Sequence, residues 1–415
     1  MKEKYLIYYC GFLIGFSAFS IDIMLPSFED MRTDLGTSME LAQMNITIYI
    51  FAFGLGQIFF GPLSDRVGRK PALYIGIVLY ILGAFTALVA PTIEIVLAGR
   101  VLQGFGGASC QSVGRAIIRD CYSGMQLARN MSIAMAIFAF GPIFAPFLGY
   151  GLTQVGGWQL VFTGMLTFGV IILAVTPKIP ETLKNANPKA LKPNHMWNAS
   201  IRVLSNRQSL YFLIVSAVLM SSMLSFVTNA ARLYEALDIR GLAFAAGFAF
   251  IGSGIIAGQF INQSMLTKLG QTRSMVVSTN WMASCMCLMI IFIHFGLLNF
   301  WWFTAFMFVF GTFFLICYAN SLSLVIDPHG DIAGFTSSFY GFFVQVFSST
   351  LVSLLTLAFQ GLPLYWSLYM CFVTAIVLLL IHHWHMTKDD TPGVLALTPE
   401  TTSKETASEE TDRQY

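Results

Sequence analysis

Charged residues are scarce in this chain of 415 residues. Asp, Glu, Lys and Arg make up 11% of it, whereas a soluble domain carries about 25%. Hydrophobic residues reach 56%, and the mean hydropathy is +0.70. So little charge cannot cover a water-facing surface, which excludes a soluble multidomain protein. The net charge of +2 is also too small to indicate a nucleic-acid partner.

The sequence also lacks the patterns of enzymes and metal proteins. No Gly-x-x-x-x-Gly-Lys-Ser/Thr phosphate loop occurs, so the chain itself does not hydrolyse ATP. Nothing in it resembles a catalytic triad. The 7 cysteines have no metal-ligand spacing and lie mostly in apolar runs, which indicates small membrane-buried residues. We therefore expect no enzyme activity, no metal site and no cofactor.

Long apolar runs fill most of the chain instead. A helix needs about 20 mostly apolar residues to cross a bilayer, and the sequence contains twelve such runs. The first is too long for the core of a signal peptide, so we interpret it as a retained helix. The predicted spans are 5–28, 41–63, 71–90, 94–118, 128–151, 157–176, 208–231, 241–266, 274–294, 299–325, 332–358 and 362–385.

Polar segments divide these spans into two groups. The stretch 177–207 holds four prolines and four lysines and predicts a hydrophilic cytoplasmic linker. It separates an N-terminal half of six helices, 1–176, from a C-terminal half of six helices, 208–385. The tail 386–415 is rich in Thr, Glu and Ser, which predicts a disordered cytoplasmic segment.

The positions of Lys and Arg predict the orientation. With the N-terminus inside, 19 of them fall in cytoplasmic segments and 3 in external segments, which favours cytoplasmic termini. A shift of 202 positions also places Gln57 on Gln259 and Gly68 on Gly270. The two halves are therefore parallel repeats, an arrangement typical of transporters whose substrate site lies between the halves.

The loop between the second and third spans carries the densest motif, GPLSDRVGRKP at 61–71. Its glycines allow a tight turn and a close approach of helices. Asp65 can pair with a basic residue and with a nearby helix N-terminus. The alternative interpretation is a topology anchor made of cytoplasmic basic residues. The candidate functional residues of the motif are Gly61, Asp65, Arg66, Gly68, Arg69 and Lys70.

A polar stripe follows the fourth span. Arg100, Gln103, Gly107, Gln111 and Gly114 recur at steps of three or four residues and so share one helix face. Placing an arginine side chain inside a membrane span costs free energy, so it faces a cavity or a partner. The alternative is an arginine that only joins helices through backbone carbonyl groups.

The fifth span contains a motif of glycine and proline, GPIFAPFLG at 141–149. Gly141, Ala145 and Gly149 step by four and form a groove for close helix packing. Pro142 and Pro146 bend the helix and free carbonyl groups. We expect the groove to face small residues of the eighth span, namely Gly247, Gly254 and Gly258.

Together these motifs resemble those of the major facilitator superfamily. In that family the loop motif acts as a conformational latch between the halves. The Arg-x-x-Gln-Gly motif of the fourth span is linked to proton coupling, and the motif of the fifth span is found mainly in exporters. The resemblance covers roughly residues 5–385 and implies an all-α membrane protein of the major facilitator fold, with twelve transmembrane helices in two halves of six.

Three further segments resemble the Bcr/CflA drug-resistance subfamily of proton-coupled exporters. They are DIMLP at 22–26, VGRAIIRD at 113–120, and the stretch 333–345 with its glycines. The resemblance implies a multi-pass protein of the bacterial inner membrane. The second copy of the loop departs from the pattern, because Thr267 stands at the position of Asp65. We therefore expect any latch to be asymmetric.

Proton coupling needs an acidic group within the membrane, and the sequence offers few. Asp22 is the one acidic residue well inside a span. Asp22 and Arg100 both lie about 10 Å below the external surface at 1.5 Å per residue. Burial disfavours a carboxylate, whereas a neighbouring arginine stabilises it, so a site that alternates between these surroundings can load and release a proton. We assign proton coupling to Asp22, Arg100 and Gln103.

The sequence predicts the substrate only as a small molecule. The leading hypothesis is a proton-coupled antiporter that exports small amphipathic drugs or metabolites by alternating access. A dedicated exporter of one endogenous compound, such as a siderophore or an amino acid, is the alternative, followed by an uptake symporter or a sensor. Protons and the lipid bilayer are the other expected partners, and we expect a monomer. The candidate pocket residues are Phe19, Arg115, Met223, Phe226, Asn229, Tyr318 and Asn320.

Overall fold

The computed structural model describes residues 3–359 and 363–387, and every regular element within them is helical. Short 3-10 turns connect several of the helices, at Leu25–Ser27, Thr176–Lys178 and Asp327–Ile332. From position 388 onward the predicted tail lies outside the described residues. The α-helices are α1 Glu3–Asp22, α2 Phe28–Asp34, α3 Met39–Val67, α4 Arg69–Leu88, α5 Ile93–Cys121, α6 Gly124–Val175, α7 Pro193–Ser205, α8 Arg207–Glu235, α9 Leu242–Leu269, α10 Gln271–His294, α11 Phe300–Ile326, α12 Ala333–Phe359 and α13 Pro363–Thr387.

Nine helical stretches of the described residues are long and apolar enough to cross a membrane. Two of them, Arg129–Lys178 and Phe300–Leu355, have 50 and 56 residues and are long enough to cross twice. Helix α5 has 29 residues but is not among the nine, because its glycines, serines and glutamines, together with Arg100, lower its hydropathy. The structure is therefore consistent with twelve crossings.

Glycines mark the breaks between consecutive spans. Gly156 and Gly157 leave the helical conformation and divide α6 between the predicted fifth and sixth spans. Gly68 has φ +106° and Gly270 has φ +76°. Each ends one helix and begins the next, at α3–α4 and at α9–α10. A residue with a side chain is strained at such φ values, so the two repeat copies use glycine for the same turn.

Two short helices lie where the sequence predicted irregular chain. Helix α2 follows the turn after α1, so that the first helical region extends beyond the predicted end at residue 28. Helix α7 occupies the second part of the predicted linker. It is amphipathic, with Ala199 and Val203 buried and Trp197 exposed. The linker is therefore partly folded against the bundle.

The helices before the linker contact those after it at two main places. Helix α3 packs along α12, and α6 packs along α9. At the α3–α12 contact, Gly54 faces Gln345 and Val346, and Gly341 faces Gln57. We call the end of the bundle that carries residues 61–70 the latch end, and the end that carries Glu40 and Arg232 the far end.

Candidate functional site

Arg69 is the centre of a charged cluster in the loop between α3 and α4. Its guanidinium donates to both carboxylate oxygens of Asp120, at 2.8 and 3.2 Å, and to Asp65 and the Ser64 hydroxyl. The side chain of Arg69 is 4% exposed. Charge-assisted hydrogen bonds to two carboxylates fix the position of a buried guanidinium. The loop is thereby attached to the end of α5, a connection that the sequence motif did not include.

Glu181, from the linker, completes this cluster. Its carboxylate accepts backbone N–H groups of Arg69 and Lys70, each at 3.0 Å, at the start of α4. Burial opposes its charge, but these donors and the N–H groups of Thr182 and Leu183 outweigh that effect and hold the pKa of Glu181 below its ordinary value of 4.5. Thr182 also donates to Asp120 at 3.0 Å. The linker therefore caps a transmembrane helix.

The remaining residues of the loop motif lie around this cluster. Gly61 faces Ser338 of α12, and a Cβ atom at Gly61 would collide with it. The Lys70 ammonium donates to the Pro177 carbonyl at 3.1 Å. Arg66 is exposed. The loop thus contacts both α12 and the linker, which places it where the halves meet at the latch end.

Arg100 is completely buried on α5. It donates to the carbonyl oxygens of Ser20 on α1 and Asn45 on α3, at 3.3 and 3.2 Å, and to the Gln103 side chain at 2.7 Å. It also lies over the Tyr49 ring, 4.2 Å from the centroid. Arg100 therefore joins three helices through backbone oxygens, as the alternative interpretation expects, and its role in proton coupling stays a prediction.

Asp22 is 5% exposed at the last position of α1. It forms no ion pair among the described residues. Arg100 reaches Ser20, two residues earlier in the same helix. The two residues thus lie at a similar depth, as the spacing predicted, but they do not form an ion pair in this structure.

The predicted partner of the α6 groove is wrong. A Cβ atom at Gly149 would collide with the Ile23 carbonyl, and one at Gly141 would lie 3.4 Å from the Phe19 nitrogen. The groove, which includes the buried Ala145, therefore faces α1. Helix α9 meets α6 elsewhere, where Gly252 lies against Pro142. The sequence missed this because small faces repeat on several helices, and Gly247, Gly254 and Gly258 contact Tyr234, Phe300, Phe308 and Thr312 instead.

The predicted pocket residues do not form one cluster. Phe226 is fully buried against Phe248 and Trp366 within the C-terminal half. Phe19 packs on Phe168, with ring centroids 4.9 Å apart. The others are placed as follows: Met223 is half-buried on α8, Asn229 donates to the Ser225 carbonyl, Asn320 donates to Asn262, and Tyr318 lies 5.8 Å from Tyr340 and near Arg115.

The far end carries a charged contact that the sequence did not predict. Arg232 of α8 donates to the Glu40 carboxylate of α3, so this ion pair joins the two halves. A cleft of about 280 Å³ opens beside it and is lined by Glu29, Asp30, Glu235 and Arg240 together with polar and apolar residues. No metal-binding group of three or more ligands occurs among the residues that the structure describes.

The family comparison finds one match across most of the chain. A model described as Major Facilitator Superfamily matches residues 7–353. Among curated proteins, the bicyclomycin resistance protein homolog of Haemophilus influenzae is 30% identical over 63% of this chain and 66% of its own length. The multidrug resistance protein MdtL of Escherichia fergusonii is 30% identical over 50% of this chain and 53% of its own length. The chain thus spans just under two thirds of the first relative and about half of the second.

Solved structures show the same fold at low sequence identity. The xylose transporter XylE from E. coli superposes with a TM-score of 0.72 at 12% identity, covering 92% of this chain and 98% of that one. The peptide transporter POT has a TM-score of 0.71 at 16% identity, covering 91% and 93%. At these identities the likeness concerns the fold alone.

Proposed function

Since the chain belongs to the Major Facilitator Superfamily, a family of membrane transporters, we propose that it is a proton-coupled antiporter that exports small amphipathic molecules by alternating access. Its membrane is the bacterial inner membrane, with both termini in the cytoplasm. The relatives named for resistance to bicyclomycin and to multiple drugs support export. The latch end is then cytoplasmic and the far end is external.

The observation that carries the proposal is Asp22, a buried carboxyl group at the end of α1 without an ion pair among the described residues. Arg100 lies at nearly the same depth and contacts the same helix. When the external side opens, water reaches Asp22 and a proton binds. When the cytoplasmic side opens, the proton leaves and substrate enters. One charge that crosses 100 mV supplies about 2.3 kcal/mol.

Alternating access requires contacts that break in turn at the two ends. At the cytoplasmic end these are the contacts of α3 with α12, around Gly61 and Ser338. At the external end they are the Glu40–Arg232 pair and the packing of Tyr150 on Gly241. The cluster around Arg69 acts as the latch by holding the loop rigid beside α12.

Uptake into everted membrane vesicles tests this function. We expect vesicles that contain the chain and have an acidic interior to accumulate at least one member of a panel of amphipathic dyes and drugs. The accumulated compound should leave the vesicles when a protonophore is added. Asp22→Asn should abolish uphill accumulation and leave binding measurable, because the amide cannot carry the proton. Accumulation by Asp22→Asn at the wild-type level would contradict the assignment. Uptake of one endogenous compound alone would instead identify a dedicated exporter.

A further inference from the structure

A small cavity lies between the halves at the latch end, beside the charged cluster. Its volume is about 20 Å³, enough for one water molecule. Helix α5 lines it with Ser112, Arg115 and Arg119, and α12 lines it with Ser337 and Ser338. Both halves therefore contribute polar groups to one partly open cavity, in which Arg119 is exposed.

The charges around this cavity do not balance. Arg115 and Arg119 lie one helical turn apart, and neither forms an ion pair within the described part of the chain. The one acidic residue of the lining is Asp65, whose carboxylate already pairs with Arg69. Two guanidinium groups therefore face the cavity without a carboxylate of their own.

Arg115 is also poor in hydrogen bonds. Its Nη2 atom donates to Gln57 Oε1 at 3.2 Å and to Gln111 Oε1 at 3.4 Å. A guanidinium presents five N–H donors, so three have no acceptor among the described residues. By contrast Arg100, on the same helix, donates through all three of its nitrogens. An arginine held by two neutral amides retains the capacity to bind an anion bidentately.

Other donors point to the same place. The Ser112 hydroxyl lines the cavity, in a residue that is 7% exposed, and it has no hydrogen-bond partner among the described residues. Gly334, at the start of the 27-residue helix α12, also lines it. The Arg119 guanidinium lies against this glycine. The cavity thus offers positive charge and hydrogen-bond donors in excess.

We propose that this cavity is an anion-recognition site, and that the exported substrates are amphipathic molecules with a carboxylate, sulfonate or phosphate group. The anionic group binds Arg115, Arg119 and Ser112 when the cytoplasmic side is open. The apolar part extends toward Tyr318, which lies near Arg115. The ring of Tyr318 lies 5.8 Å from that of Tyr340. This inference rests on the proposed export function and adds the charge of the substrate to it.

Two matched probes test the inference on the whole protein in phosphatidylcholine nanodiscs, with empty nanodiscs subtracted. Anilinonaphthalene sulfonate carries an anionic group, and phenylnaphthylamine has the same ring system without it. We expect Arg115→Gln to weaken binding of the sulfonate about tenfold or more and to leave binding of the neutral probe unchanged. Arg115→Lys should restore part of the affinity. Arg207→Gln, which removes an exposed arginine at the start of α8, is the matched control and should bind both probes as the wild type does.

Three results would overturn the inference. Equal losses for the two probes would indicate a structural role of Arg115, and unchanged binding of the sulfonate would show that Arg115 does not contact it. Loss of sulfonate binding in phosphatidylglycerol nanodiscs would show that a lipid head group, and not an exported substrate, occupies the site. Competition by inorganic phosphate would instead support an anion site at Arg115. Proton-driven vesicle uptake of the neutral probe by both wild type and Arg115→Gln would leave the export function standing. Absence of uptake of either probe by the wild type would count against that function instead.

Discussion

At the scale of single residues, three arginines of the N-terminal half are held away from bulk water in different ways. Arg69 has two carboxylate partners, Arg100 has backbone carbonyl groups, and Arg115 has only two glutamine side chains. A buried charge is stable when it is paired or fully hydrogen-bonded. Arg69 and Arg100 are therefore structural in this conformation, whereas Arg115 has N–H donors left for a ligand.

Glu181 gives a prediction at the same scale. Glu181→Gln removes the charge that faces the first N–H groups of α4, and we expect this cap to weaken by about 0.5–1 kcal/mol. Amide hydrogen exchange at Arg69 and Lys70 measures the effect directly. Lys184→Gln, an exposed change in the same linker, should leave that exchange unaltered. Equal exchange in the wild type and Glu181→Gln would show that the cap contributes nothing.

The pH dependence of this cap follows from the direction of its shift. The pKa of Glu181 in the folded protein lies below its ordinary value of 4.5. The stabilisation is therefore fully present above that value and is lost as the pH falls through the lower, folded value. Protection of Arg69 and Lys70 in the wild type should stay constant from about pH 5 to 8 after correction for intrinsic exchange, and it should decline only in stronger acid.

At the scale of elements, the contact of α6 with α1 lies next to Asp22, the proposed site of proton binding. Gly149 lies directly against the Ile23 carbonyl, next to Asp22 in the sequence. Only a glycine allows the backbones to approach this closely. The motif of the fifth span therefore packs against the end of α1, next to Asp22, the predicted site of proton binding.

Gly149→Ala tests this contact. The added methyl group must push α6 away from Ile23, so we expect a loss of about 1–3 kcal/mol in stability and weaker coupling of proton and substrate movement. Gly151→Ala is the matched control two residues further along, where no atom lies within 4 Å of an added Cβ. Thermal melting in detergent and vesicle uptake measure the two effects. If Gly149→Ala behaved like Gly151→Ala, α6 would be scaffold only.

The elements also show how far the sequence predicts this structure. Apolar runs of about 20 residues predicted the spans, because a helix of that length matches the thickness of the hydrocarbon core of a bilayer. The sequence did not predict helix α7, because a segment of 13 residues with this polarity does not suggest a membrane span. The bonds of Asp120 to Arg69 and of Glu181 to the start of α4 join residues 51 and 112 positions apart, and no local pattern predicts such pairs. The motif residues were found by resemblance, but their partners required the fold.

At the scale of the whole molecule, the two halves meet through different chemistry at the two ends. The latch end is closed by small residues on α3 and α12, with the Arg69 cluster beside them. The far end is closed by an ion pair, Glu40 with Arg232, next to a cleft lined by acidic residues and Arg240. Thr267 in place of an aspartate leaves the second half without a matching latch. The structure is thus asymmetric between its two ends, and the proposed export of substrate against protons would use this asymmetry.

The central claim is that substrate and protons move in opposite directions, and proton release from reconstituted vesicles tests it most directly. Purified protein in proteoliposomes with a pH dye enclosed is given a substrate gradient and no pH gradient. We predict that the substrate drives protons in the opposite direction, and that Asp22→Asn abolishes this proton movement while substrate still binds. Substrate movement without any pH change in the wild type, or protons that travel in the same direction as substrate, would contradict proton-coupled export.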